Sequence, residues 1–138
     1  MGCALITLDT SALFALLNRR DPDHEVVSSI FAGEGGPYLV PAGILAEIGY
    51  LVERRLGIKV LDAFLADLDS RALSLDCGEE DLPRVRELVT RYENLPLGLA
   101  DAAVIACAER NGGRVLTLDF RDFGTVAGEG TISVLPTT

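Results

Sequence analysis

The chain has 138 residues, of which 49% are hydrophobic and only 6% aromatic, and these values predict a single domain with an aliphatic core. Its 21 acidic and 12 basic residues give a formal net charge of −9, which excludes a protein that coats nucleic acid through a uniformly basic surface. Contact with a nucleic acid would need a local basic patch, for which Arg19-Arg20 and Arg54-Arg55 with Lys59 are candidates, although such residues are more often simply solvated.

The sequence has none of the features of a membrane or secreted protein. No apolar run approaches the roughly 20 residues that span a bilayer, and the N-terminus has no basic region. The cysteines, Cys3, Cys77 and Cys107, are odd in number and scattered, which favours reduced thiols over a disulfide framework or a zinc site. We therefore expect a soluble cytoplasmic protein that does not contact a membrane.

Apolar segments of two kinds alternate along the chain. Short continuous runs, typical of buried strands, predict strands at about 4–9, 38–40, 72–75, 115–118 and 131–135. Apolar residues at helical spacing predict helices at about 10–19, 21–32, 42–56, 58–70, 79–94 and 99–111, and Gly128 to Gly130 form the loop before the last strand. This alternation predicts one three-layer α/β/α domain over residues 1–138, with a central parallel sheet of about four to five strands.

Two of the predicted strands end in the same three residues. Thr7-Leu8-Asp9 closes the first strand, and Thr117-Leu118-Asp119 closes a strand near the other end of the chain. Ligands of parallel sheets bind beyond the carboxyl ends of the strands, so Asp9 and Asp119 are expected at one rim. Each also has a local alternative, because Asp9 suits the N-cap of the first helix and Asp119 suits a polar stop between strand and loop.

Two further acids lie on predicted helices. Glu47 shares a helix face with Ile44 and Leu51, where a charged carboxylate is costly unless it is paired or bound to a cation; the alternative is a pair with Arg54 at the edge of the apolar stripe. Asp101 lies near the start of a helix that is apolar nearly all round, where it could instead complement the helix dipole.

The four acids together favour a metal site over four separate local roles. Clustered carboxylates repel one another and cannot all stay ionised without cations. Oxygen ligands without His or Cys indicate Mg²⁺ or Mn²⁺, and one or two such ions can activate water for phosphodiester cleavage. His24, the one histidine, cannot build a zinc site or a catalytic triad alone and is expected to be a solvated surface residue.

The arrangement of these residues resembles a known family. Asp9-Thr10-Ser11-Ala12 after an N-terminal strand, Glu47 on a helix after a strand and a proline, Asp101 within residues 99–106, and Asp119 after its strand resemble the PIN domain. That domain is the nuclease fold of the VapC toxins of bacterial and archaeal toxin–antitoxin pairs. The resemblance covers nearly the whole chain.

The resemblance implies a metal-dependent endoribonuclease whose catalytic and metal-binding residues are Asp9, Glu47, Asp101 and Asp119. Thr10 or Ser11 would supply a supporting hydroxyl, and Asp122 would be either a fifth acid or a surface turn residue. It further implies an Mg²⁺ or Mn²⁺ cofactor, an RNA substrate cut to 5′-phosphate and 3′-hydroxyl ends, a homodimer and a VapB-like antitoxin. The alternative is a PIN-like regulatory module that binds RNA or protein without turnover.

Overall fold

Five short parallel strands form one sheet in the order β3-β2-β1-β4-β5. The structure is a computed structural model and describes residues 5–95 and 97–136. The strands are β1 (Ile6–Leu8), β2 (Tyr38–Pro41), β3 (Ser74–Asp76), β4 (Arg114–Leu116) and β5 (Ser133–Leu135). All three residues of β1 and all four of β2 are buried, so the centre of the sheet is covered on both faces.

Seven helices cover the sheet within the described part of the chain. They are α1 (Thr10–Leu17), α2 (His24–Glu34), α3 (Leu45–Leu56), α4 (Ile58–Asp69), α5 (Leu82–Arg91), α6 (Leu99–Arg110) and α7 (Phe120–Ala127). α1 contacts α2 and α3, and α3 contacts α4; α5 packs on α6, which lies against β1, β2 and β4. The predicted three-layer α/β/α architecture with a parallel sheet is therefore confirmed.

The structure departs from the predicted elements in one important place. The sequence pattern predicts only a loop between β4 and β5, whereas residues 120–127 form α7. This helix is short, contains Gly124 and buries only Phe123 and Val126, so its apolar stripe is too brief to be separated from a loop by periodicity. The predicted helix at 42–56 begins with a 3₁₀ turn at Ala42–Ile44 before α3 starts.

Two smaller expectations have mixed outcomes. His24 is half-buried, and its ring contacts the Ala15 carbonyl oxygen through Nδ1 at 2.8 Å and the Ser28 hydroxyl through Nε2 at 3.2 Å, so the expectation of a solvated residue is wrong. The ring joins α1 to α2 instead. Cys77 and Cys107 are free thiols as expected, while Cys3 and residue 4 of the predicted first strand lie outside the described residues. Among the described helices, none has the length and apolarity required to cross a bilayer.

Gly43 allows the connection after β2 to lie directly on α6. A Cβ atom added at Gly43 would stand 2.5 Å from the Cβ of Ala103, closer than two carbon atoms can approach. The 3₁₀ turn that leads to α3 is thereby held against the helix that carries Asp101. A glycine at this position thus sets the distance between the elements that carry Glu47 and Asp101.

Replacing Gly43 by alanine is expected to lower the free energy of unfolding by about 1–3 kcal/mol, because the added methyl group overpacks the contact with Ala103. Gly124→Ala is the matched control. A Cβ there meets no atom within 4 Å, so the substitution should raise the free energy of unfolding by about 0.5–1 kcal/mol through lower backbone entropy of the unfolded chain. Urea denaturation of both variants measures the difference, and equal effects of the two substitutions would contradict the close packing of the turn on α6.

Candidate functional site

Two hydroxyl groups hold the carboxylate of Asp9 at the carboxyl end of β1. Asp9 is only 4% exposed. The Ser11 hydroxyl donates to Oδ2 of Asp9 at 2.7 Å, and the Thr117 hydroxyl donates to the same oxygen at 2.8 Å. Asp9 occupies the N-cap position of α1, but its side chain makes no capping hydrogen bond. The capping role that Asp9 could have had is therefore not observed.

The direction of these hydrogen bonds is fixed by the backbone. The Leu118 N–H donates to Ser11 Oγ at 2.9 Å, and the Asp119 N–H donates to Thr117 Oγ1 at 2.9 Å. Each hydroxyl has one proton, and with its acceptor side occupied by an N–H that proton is free to point at Asp9. Asp9 is consequently surrounded by donors, which favours its ionised form.

Glu47 reaches the same rim from α3. The Thr10 hydroxyl donates to Oε1 of Glu47 at 2.6 Å, so α1 and α3 are joined next to Asp9. Glu47 is exposed, and the expectation that it lies in an apolar stripe is wrong. Its alternative partner is not used either, because the Arg54 guanidinium lies over the ring of Tyr50 at 6.0 Å from the ring centre.

Three further carboxylates converge on one point. Asp101, Asp119 and Asp122 each offer a carboxylate oxygen, and these three atoms all lie within 4.8 Å of one another. Asp101 is the third residue of α6, while Asp119 precedes α7 and accepts a hydrogen bond from the Asp122 N–H at 3.1 Å through Oδ1. Asp119 therefore also caps α7, as its local alternative suggested, and Asp122 belongs to the cluster.

The carboxylates of the rim act on one another electrostatically. The pKa of Asp101 is raised to about 7, chiefly by burial and then by the negative charges of Asp9, Asp119, Asp122 and Glu47, in that order of influence. Burial also raises the pKa of Asp9, against the lowering effect of the hydrogen bonds from Ser11 and Thr117. The pKa of Asp122 is raised by burial and then by the charge of Asp119. All five acids thus share one region of negative potential.

The donor set fits a divalent metal ion. It consists of carboxylate oxygens, the ligands that Mg²⁺ and Mn²⁺ prefer, and it holds them close enough to raise the pKa of Asp101. A bound cation would relieve this repulsion and return the pKa of Asp101 toward its ordinary value. Asp101, Asp119 and Asp122 are the residues best placed to hold such an ion, and Asp9 and Glu47 lie around them.

Thr117 is the residue of the site that sequence reasoning missed. The repeated triplet at the ends of β1 and β4 contains it, but the same triplet contains Thr7, whose buried hydroxyl has no hydrogen-bond partner among residues 5–95 and 97–136. The two threonines are indistinguishable in the sequence. They differ because of the register between β1 and β4: Leu8 pairs with Leu116, so Thr117 lies next to Asp9, whereas Thr7 pairs with Val115.

Comparison with known proteins gives consistent results. The family model of the PIN domain matches residues 6–129. Ribonuclease VapC26 of Mycobacterium tuberculosis is 35% identical over 133 residues, which cover 94% of this chain and 98% of that protein.

Two solved structures share the fold. The crystal structure of Mycobacterium tuberculosis VapC20, a toxin that cleaves the sarcin–ricin loop, has a TM-score of 0.78 at 23% identity and covers 88% of this chain and 94% of its own. The structure of VapBC2 from Rickettsia felis, bound to a DNA fragment from its promoter, has a TM-score of 0.68 at 17% identity, with coverage of 94% and 96%.

The raised pKa of Asp101 predicts how stability depends on pH when no divalent cation is present. The unfolded chain loses this proton near the ordinary pKa of 3.8, whereas the folded protein keeps it to about pH 7. The folded state therefore binds more protons in this window, and the free energy of unfolding should fall as the pH rises from about 4 to about 7. Asp101→Asn removes this contribution, so in EDTA at pH 8 the variant should be more stable than the unsubstituted protein by on the order of 2 kcal/mol.

Urea denaturation in EDTA at pH 5 and pH 8 measures this effect. Asp69→Asn, an exposed acid at the end of α4, is the control and should leave the pH dependence unchanged. An Asp101→Asn variant that loses as much stability as the unsubstituted protein between the two pH values would contradict the raised pKa of Asp101.

Proposed function

The chain belongs to the PIN-domain family, and from this premise we propose that it is a metal-dependent endoribonuclease of the VapC type, with residues 1–138 as its single domain. The observation that carries the proposal is the carboxylate cluster of Asp101, Asp119 and Asp122 beside the buried Asp9. The 35% identical relative is a ribonuclease, which supports the same reaction class.

We assign the metal-binding and catalytic roles to Asp9, Glu47, Asp101 and Asp119, with Asp122 as a fifth ligand. An Mg²⁺ or Mn²⁺ ion bound there would supply the positive charge that activates water and offsets the charge of the phosphate. Ser11 and Thr117 orient Asp9 and oppose the rise in its pKa that burial causes, and Thr10 fixes the carboxylate of Glu47.

The reaction is hydrolysis of an RNA phosphodiester. Water adds to phosphorus on the side opposite the leaving group, the bond from phosphorus to the 3′-oxygen breaks, and the products are a 5′-phosphate and a 3′-hydroxyl. The carboxylates on the rim accept the proton that water loses.

The proposal extends to partners and location. The family resemblance and the VapC relative favour a VapB-like antitoxin, a homodimer and action in the cytoplasm. A groove of about 980 Å³ is lined by four basic residues, Arg19, Arg20, Arg55 and Lys59, and by two acidic ones, Asp21 and Asp67. Four of the 12 basic residues thus lie around one groove, and their excess over its two acids supports this groove as the local basic patch for RNA contact.

Purified protein should cut RNA in Mg²⁺ or Mn²⁺ and stop when EDTA is added. Asp9→Asn and Asp101→Asn should each lower the rate by at least about 100-fold, because each removes a charge from the rim that orients the cation and the attacking water. Gel analysis of a broad RNA panel, with mapping of the 5′ ends, measures the rate and the product chemistry.

Asp69→Asn is the control for loss of one acidic charge outside the site and should retain full activity. Cleavage that persists in both site variants would refute the proposal. Binding of Mn²⁺ by calorimetry without cleavage of any RNA in the panel would instead favour the non-catalytic regulatory module.

Expression of the chain with the product of a short adjacent reading frame should yield a stable complex with lower ribonuclease activity. Light scattering after gel filtration gives the masses of the free protein and of the complex. A free protein that stays monomeric at all concentrations would refute the homodimer, and a complex with undiminished activity would refute the antitoxin assignment.

A further inference from the structure

A small pocket opens beside the carboxylate cluster, on the same rim of the sheet. It has a volume of about 160 Å³ and is bounded by residues 41–43 at the end of β2, residues 76–79 at the end of β3, the start of α5, and one face of α6 from Leu99 to Cys107. We call it the rim pocket. None of the five acids of the candidate site lines this pocket.

The rim pocket lies one strand away from Asp9. Pairing of Thr7 with Leu39 and of Pro41 with Asp76 places Asp9, Pro41 and Asp76 at one level across three adjacent strands. Neighbouring strands are about 4.8 Å apart, so the pocket begins within about 5–10 Å of Asp9. A nucleotide next to the bond that is cut can span this distance.

The first turn of α6 contributes residues to both the rim pocket and the carboxylate cluster. Leu99 is 67% exposed and forms one side of the pocket mouth, while Asp101, two residues later, belongs to the carboxylate cluster. Leu82 of α5 forms the other side and is 55% exposed. The inner wall is apolar and buried, with Val85 and Cys107. Two exposed leucines at the mouth of an apolar pocket form a surface that an uncharged, flat ligand can cover.

The charges around the rim pocket exclude a phosphate and favour a ligand that donates hydrogen bonds. Arg110 lies nearby, but its guanidinium already binds Asp81 at 2.7 and 2.9 Å, Asp76 at 2.6 Å and Glu80 at 3.0 Å. In the part of the chain that the structure describes, the carboxylate of Glu79 at the pocket has no hydrogen-bond or ion-pair partner. The Glu79 carboxylate is thus available to accept a hydrogen bond from a ligand in the pocket.

We propose that the rim pocket binds one unstacked nucleobase of the RNA substrate, preferentially a base with an exocyclic amino group that donates to Glu79. This rests on the proposed ribonuclease function and makes Leu82, Leu99 and Glu79 specificity-determining residues. The base lies against the two leucines, as unstacked bases lie on apolar and aromatic side chains in single-stranded RNA recognition. Adenine, cytosine and guanine carry such an amino group, whereas uracil lacks it.

Binding of RNA to an inactive protein tests the pocket without requiring cleavage. Fluorescein-labelled octamers of adenylate, cytidylate and uridylate are titrated with full-length Asp9→Asn protein, and fluorescence anisotropy gives each Kd. The adenylate and cytidylate octamers should bind about fivefold more tightly than the uridylate octamer. Cys77→Phe places an aromatic ring in the lining of the pocket and should exclude the base, so it should remove most of this fivefold difference.

Two further variants separate the pocket from unrelated effects. Glu79→Gln changes an exposed side chain, so the fold should be kept, and it should reduce the preference for adenylate and cytidylate at least twofold. Ala66→Phe adds the same ring on the exposed face of α4 and should leave all three Kd values unchanged.

Equal affinity for all three octamers, or a preference that Cys77→Phe and Glu79→Gln both leave intact, would overturn the proposal. So would a Cys77→Phe variant that loses affinity for an antitoxin but not for RNA, because the pocket would then receive a protein side chain. If the unsubstituted protein cuts no RNA while the base preference is present, the ribonuclease function fails and the rim pocket stands.

Discussion

Repulsion among carboxylates at the rim of the sheet is the constraint on which the site depends. Asp101, Asp119 and Asp122 bring oxygens within 4.8 Å of one another, and burial with neighbouring charge raises the pKa of Asp101 to about 7. The free energy of folding must hold these groups together against their own charges. The aliphatic core does so, because α6 and the strand β4 that precedes Asp119 are among the most buried elements of the chain. A divalent cation bound between the carboxylates would remove their repulsion, so the folded protein would be stabilised by binding it.

Asp9 is held differently, by hydrogen bonds whose direction the backbone sets. Two N–H groups after β4 occupy the acceptor sides of Ser11 and Thr117, and both hydroxyls then donate to one oxygen of Asp9. Such a network stabilises the charged form of a buried carboxylate without a basic side chain, and here it opposes part of the rise in the pKa of Asp9 that burial causes. It also links the ends of β1 and β4, so the position of Asp9 relative to Asp119 is fixed by the sheet itself.

The second region of interest depends on close packing. Gly43 lets the turn after β2 touch Ala103 of α6, and this contact forms one wall of the rim pocket while it sets the origin of the helix that carries Glu47. Catalysis and selection of a base would then share one rigid frame, with Asp101 and Leu99 in the same helical turn. In this arrangement the spacing between the metal site and the base is set by helix geometry.

The sequence alone predicted the alternation of strands and helices, the parallel sheet and the four candidate acids. It could do so because hydrophobic periodicity and residue type are local properties that can be read without knowing the tertiary contacts. It could not distinguish Thr7 from Thr117, it placed Glu47 in an apolar stripe although that residue is exposed, and it left Asp122 undecided. Tertiary structure decided these points: the order of the strands sets β4 beside β1, and α7, whose apolar stripe is too short to detect, carries Asp122 to the cluster. Asp9 and Thr117 are neighbours across the sheet although 108 residues separate them in the chain, so no local pattern could record their contact.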